Sequence, residues 1–279
     1  ASPDLRFVDR VLFEDAPGNV LAHPDGVYFV VGASRNFYVY QIVDGKLAQV
    51  SRSPQSHGWT CFWITPDGDH IIATHGHLNR PDQPVEIHWY SFSPLEAQHI
   101  CEVKVHPDTD TELLPDSYIL RVDLDGKRAF VCQSSSNATG ILCDVPIVDL
   151  TANPPVINSV IKQVGHGVES FAFDPNRKMA AVTCLSESKN CIAVLDIEAA
   201  QPRVLYYLDA GGLGQGIEFS PEGDKLFVGS ALANRIEVFD VLGDFDVRAN
   251  QRFLKTGHGH CSLTLSKTYP EQTDAPSGN

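Results

Sequence analysis

One local phrase returns five times along this chain: alternating apolar residues, a Pro-Asp-Gly-like turn, a strand ending in small residues, and a further strand ending in an acid. The copies centre on Pro24-Asp25-Gly26, Pro66-Asp67-Gly68, Leu124-Asp125-Gly126, Pro175-Asn176-Arg177 and Pro221-Glu222-Gly223, so the anchors recur every 42, 58, 51 and 46 residues. A four-stranded unit of that length cannot bury both of its faces alone. Stacked copies are required, and the architecture that follows is an all-β propeller of four-stranded blades. With 279 residues and a mean spacing of about 49, the chain is expected to form six blades, five of them recognisable, with seven as the alternative. The weakly encoded sixth would use 261–265 as its inner strand and 5–13 as the strand that closes the ring.

Repeat five is the clearest copy, with strands expected over 216–220, 225–229 and 235–240 and a fourth around Phe253 and Leu254. Repeat four follows the same scheme over 170–174, 179–183, 192–196 and 204–208. No stretch with the 3.6-residue period of a helix competes. A single propeller domain over 1–270 is therefore expected, followed by a polar tail, 271–279, whose composition favours disorder.

The formal charge of -14, from 21 Lys and Arg against 35 Asp and Glu, repels phosphate backbones and disfavours nucleic acid and anionic membrane as partners. No apolar run reaches the roughly 20 residues that span a bilayer. Ala1-Ser2-Pro3 lacks the apolar core of a signal peptide. The expectation is a soluble protein, either cytoplasmic or secreted or periplasmic after removal of a leader. Seven cysteines spread over this length read as free thiols within strands,. Cys132 with Cys143, and Cys184 with Cys191, bracket equivalent loops and are expected to face each other across their hairpins.

The stretch from Gly216 to Asp240, Gly-Ile-Glu-Phe-Ser-Pro-Glu-Gly-Asp-Lys-Leu-Phe-Val-Gly-Ser followed by Asn-Arg-Ile-Glu-Val-Phe-Asp, resembles the YVTN-type repeat of the lactonase and carboxymuconate-cyclase-like propellers. About four of the five repeats carry the resemblance. It implies a propeller acting on a small oxygenated organic molecule by lactone hydrolysis, lactonisation or related isomerase or lyase chemistry. The Pro-Arg-His-type approach to the inner strand that is usual in that group is absent, so no catalytic residue is carried over by position.

In a propeller, the loop before each inner strand and the loop between second and third strands open on one face, where function gathers. His57-Gly58, His166-Gly167 and His258-Gly259-His260 precede inner strands, and His75-Gly76-His77 falls in a second-to-third-strand loop. Glycine at a tight inward bend explains part of this recurrence. The chemical reading is that imidazoles converge at the mouth, where they bind a transition metal or transfer protons near neutral pH. On that reading His75, His77, His258 and His260 hold one divalent metal ion of unspecified identity, and no nucleotide cofactor is expected. His166, Glu169 and Tyr118 are the expected catalytic groups, moving a proton and steadying a developing oxyanion. His57, Trp59 and Gln215 are the expected substrate contacts, with Trp63 along the wall. His88, His99 and His106 map to outer strands or the opposite face and read as surface or packing residues. The alternative function is a non-catalytic propeller whose rim binds a protein or a glycan.

Overall fold

The computed structural model describes residues 9–54, 61–74, 86–104, 116–134, 142–176, 178–185 and 189–256. Among them every strand belongs to one of five four-stranded antiparallel sheets, and no helix is present. The first sheet holds β1 (Pro17–Ala22), β2 (Tyr28–Ala33), β3 (Asn36–Val43) and β4 (Lys46–Pro54). The second holds β5 (Phe62–Ile64), β6 (His70–Thr74), β7 (Glu86–Ser93) and β8 (Glu96–Lys104). The third is β9 (Asp116–Val122), β10 (Arg128–Ser134), β11 (Leu142–Asp149) and β12 (Val156–His166). The fourth is β13 (Val168–Phe173), β14 (Met179–Cys184), β15 (Ile192–Asp196) and β16 (Arg203–Leu208), and the fifth is β17 (Gly214–Phe219), β18 (Lys225–Ser230), β19 (Arg235–Gly243) and β20 (Asp246–Lys255). In each sheet the strands lie side by side in chain order. This meander is what a propeller blade requires.

The chain divides into two compact units, Ala1–Glu169 with Ala200–Arg203, and Ser170–Ala199 with Val204–Asn279. In the first unit, Phe37, Phe62, Ile71, Ala73 and Tyr90 join the first and second sheets in one buried cluster, and Ile72, Ile87, Leu120, Val122 and Val131 join the second and third. In the second unit Ala172, Met179, Val194, Ile217, Leu226 and Phe239 perform the same task for the fourth and fifth sheets. The middle strands are the most buried, β14 along its whole length, whereas the fourth strands such as β4 are mostly exposed. Cys61, Cys101, Cys132, Cys143, Cys184 and Cys191 are free thiols. Cys184 and Cys191 meet across the β14–β15 hairpin, where the Cys184 N–H donates to the Cys191 carbonyl at 2.9 Å.

The repeated turn works through hydrogen bonds that its sequence supplies. Gly26, Gly68, Gly126 and Gly223 all have φ between 73° and 82°, a left-handed backbone that costs a residue with a Cβ about 1–2 kcal/mol. Each glycine N–H closes the turn onto the carbonyl three residues earlier, at His23, Thr65, Asp123 and Ser220. Asp25, Asp67 and Asp125 accept from the N–H two residues on. The side chains of Thr65, Asp123 and Ser220 accept from the N–H of the residue that opens the next strand, His70, Arg128 and Lys225.

Residues 9–13 form no strand, unlike the closing strand expected over 5–13. Their side chains attach them to the first sheet. Val11 and Phe13 pack on Val31, Ala33, Tyr38 and Tyr40, the Phe13 ring stands edge-on to Tyr38 at 5.1 Å, and the Asp9 carboxylate accepts from the Leu47 N–H. Residues 261–265 and the tail 271–279 lie outside the described residues.

The turns also pack on one another. A Cβ added to Gly68 would stand 2.6 Å from His23 Nε2, whereas one added to Gly26 would meet nothing within 4 Å. Gly26→Ala is expected to lose only the backbone cost, about 1–2 kcal/mol. Gly68→Ala adds a clash to that cost, so in urea denaturation its midpoint falls below that of Gly26→Ala; equal midpoints would refute the packing.

Candidate active site

Within the first unit, four residues placed five or three positions ahead of a turn, Asn19, Cys61, Trp63 and Arg121, come together along the inner strands. Asn19 on β1 donates from its side-chain nitrogen to the Phe62 carbonyl at 3.2 Å and points the same group at Cys61 Sγ, 4.0 Å away. Cys61 stands one residue before β5, and its carbonyl accepts from both the N–H and the hydroxyl of Thr74. Trp63 on β5 carries the Arg121 guanidinium of β9 over its ring, 4.4 Å from the centroid. Such stacking fixes a planar cation without consuming its edge donors.

Glu169, the second residue of β13, completes the group. Burial pushes its carboxyl above the ordinary carboxylate value, with no opposing contribution. Among the described residues nothing hydrogen-bonds to it. The Cys61 thiol is also pushed up, first by burial and also by the nearby Glu169 charge, while a backbone hydrogen bond from Leu120 and the charge of Arg121 pull the other way. The thiol therefore lies within electrostatic reach of both charged groups. A raised thiol pKa keeps sulfur protonated and unsuited to nucleophilic attack. The group with the properties of a proton acceptor is Glu169.

The structure locates three of the expected site residues. Glu169 is half-buried in the cluster just described. His166 ends β12 opposite Leu142, half-buried, and is joined to β13 through Gly167 alone. Gly167 has φ 60°, so the glycine of this His-Gly pair has a conformational role of its own,. Gln215 is half-buried on β17, in the second unit. Tyr118 falls on β9, with its side chain outside what is described. His57, Trp59, His75, His77, His258 and His260 lie outside the described residues, as does His106. Cys61 and Arg121 were missed by a search directed at histidines. The signal was present in the spacing, because Asn19 and Cys61 share one offset from their turns and Trp63 and Arg121 share another.

No protein-family model matches the sequence, and no curated protein matches it. Solved structures do match its fold. A functionally unknown protein from Desulfotomaculum acetoxidans superposes with a TM-score of 0.69 at 15% identity, over 86% of this chain and 71% of its own. Hydrazine synthase of Kuenenia stuttgartiensis gives 0.65 at 16%, over 88% and 76%. A periplasmic gluconolactonase of Pseudomonas aeruginosa gives 0.66 at 16%, over 88% and 74%. The chain shares the fold of these proteins, and its five four-stranded sheets are consistent with a β-propeller. At such identities the likeness carries fold and no activity. Among the described residues no helix is long and apolar enough to cross a membrane.

A folded-state carboxyl pKa above its unfolded value favours the protonated form. The stability it contributes is complete at pH below the unfolded value and falls as pH rises through the folded one. Glu169→Gln removes that loss. Its melting temperature is expected to exceed that of the parent at pH 8 and to match it at pH 4; a lower melting temperature at pH 8 would show that the charged carboxylate is stabilised in the fold.

Proposed function

We propose that the protein is a hydrolase that opens a small oxygenated ring ester, a lactone, at the inner-strand cluster of the first unit. The observation that carries this reading is Glu169: a half-buried carboxyl with raised proton affinity, within electrostatic reach of a buried thiol that the stacked Arg121 also reaches. The fold shared with a gluconolactonase supports the substrate class. In this mechanism the Glu169 carboxylate takes a proton from water as the water oxygen attacks the lactone carbonyl carbon. The ring C–O bond then breaks, and the leaving oxygen receives the proton from Glu169. The product is a hydroxy acid that ionises, releasing one proton to solvent. Arg121 supplies positive charge for the developing oxyanion and the product carboxylate, and Trp63 supplies an apolar wall.

His166 is the second proton-transfer group in this proposal, with Tyr118 as donor to the oxyanion. His57 and Trp59 are proposed substrate contacts.

The test is proton release from five- and six-membered sugar lactones, followed in a pH-stat. Glu169→Gln is expected to lower kcat by roughly 10²-fold or more, and His166→Ala by roughly 10²-fold with its melting temperature nearly unchanged. The parent rate should rise with pH through a value above that of an ordinary carboxylate. No turnover above the spontaneous rate on any lactone, or full activity in Glu169→Gln, would defeat the proposal.

A further inference from the structure

On the third and fourth strands of the second sheet, separated from β5 by β6, two histidines and a glutamate share one face. His88 on β7 is 2% exposed. Its Nδ1 lies 3.2 Å from Nε2 of His99 on β8. The same His99 nitrogen is 3.9 Å from Glu102 Oε1, and one ligand atom from each of the three falls within 4.8 Å of the others. The two β8 side chains remain accessible, at 32% for His99 and 47% for Glu102.

This convergence depends on a β-bulge. In a regular strand, residues three apart point to opposite faces, which would separate His99 from Glu102. The β7–β8 ladder pairs His88 with Glu102 and Trp89 with Cys101, then shifts so that Tyr90 pairs with His99. Ile100 is the extra residue, and its insertion returns His99 to the face of Glu102. The Tyr90 ring packs against both imidazoles, edge-on to His99 at 5.2 Å and tilted to His88 at 6.5 Å. The same bulge recurs between β3 and β4, where Val39 pairs with Ser51 and Tyr40 with Gln49. There the equivalent places hold Tyr38, Gln49 and Arg52, a set without a metal-binding imidazole or carboxylate. The bulge therefore belongs to the repeat, and the His-His-Glu set belongs to this sheet alone of the two.

We propose that His88, His99 and Glu102 bind a late first-row divalent ion, with Zn(II) as the best fit, leaving a fourth position for water. Zn–N bonds of about 2.0–2.1 Å in a tetrahedron hold ligand nitrogens about 3.3 Å apart, close to the 3.2 Å between the two imidazoles. The glutamate oxygen needs only a small side-chain adjustment. Two imidazoles and one carboxylate favour Zn(II) over Mg(II) or Ca(II), which prefer all-oxygen shells. The ion would clamp β8 to β7 at the bulge, and the site is independent of the proposed hydrolytic cluster.

The experiment is calorimetric titration of ZnCl₂ into chelator-treated full-length protein. The parent should take up an equivalent of zinc that His99→Ala and Glu102→Gln each weaken at least about tenfold, while a His75→Ala/His77→Ala variant retains it. Ring-nitrogen NMR of the unaltered protein gives a second readout: the His88 and His99 signals should shift together on adding zinc. Absence of zinc uptake, uptake unchanged in His99→Ala and Glu102→Gln, or zinc-dependent shifts confined to other histidines would each overturn the site and leave a plain histidine–histidine hydrogen bond.

Discussion

Stacking of one turn on the next is the contact on which the rest of each unit depends. Sheets of this kind expose two apolar faces, and a neighbour must cover each at a fixed height. His23 Nε2 lies 3.2 Å from the Gly68 carbonyl oxygen, Pro66 fills the space where Gly126 lacks a Cβ, and Asp174, Pro175 and Asn176 crowd Gly223 in the same way. These contacts set the register between consecutive sheets. With the turns aligned, Phe62 slides under Gly32, where a Cβ would meet its ring at 2.7 Å, and Thr183 fits against Gly214 at 2.8 Å. Polar contacts on the outer strands hold the same register: the Ala97 N–H donates to Ser53 Oγ at 2.8 Å, and the Tyr206 hydroxyl donates to the Phe245 carbonyl while accepting from the Val247 N–H.

The candidate site follows from that alignment. Once turns are level, residues at equal distances ahead of them come level too, and Asn19, Cys61, Trp63 and Arg121 meet although they are far apart in sequence. Glu169 joins them because a single glycine separates β12 from β13, which leaves no loop to carry it away. Its proton affinity is then a consequence of position. A carboxyl near a protonated thiol, with burial unopposed, holds its proton more firmly than one in water,.

Period-two alternation and the repeated turns made the strands legible in the sequence. The expected 225–229 and 192–196 match β18 (Lys225–Ser230) and β15 (Ile192–Asp196) closely. Alternation fails where the ladder slips. In the diverged third repeat, β12 runs eleven residues, Val156–His166, through two register shifts against β11, so His166 ends a strand where a loop was expected. The same blindness hid the His88, His99 and Glu102 group, because a bulge changes which residues share a face without leaving a mark in composition. His-Gly recurrence pointed at the rim, yet Gly167 at φ 60° gives part of that signal a conformational origin. Arginine and cysteine at fixed offsets from the turn were the more direct pointer to the cluster around Glu169.

Glu169 is proposed here as a proton acceptor in a binding site for small oxygenated molecules. Carbon-13 NMR of its side-chain carboxyl measures this directly, as a titration of the free protein and again with a hydroxy acid, the hydrolysis product, present. The expected result is a pKa above that of an ordinary glutamate, moved further when the ligand binds beside Arg121. A carboxyl that titrates at or below the ordinary value, and that does not respond to ligand, would contradict it.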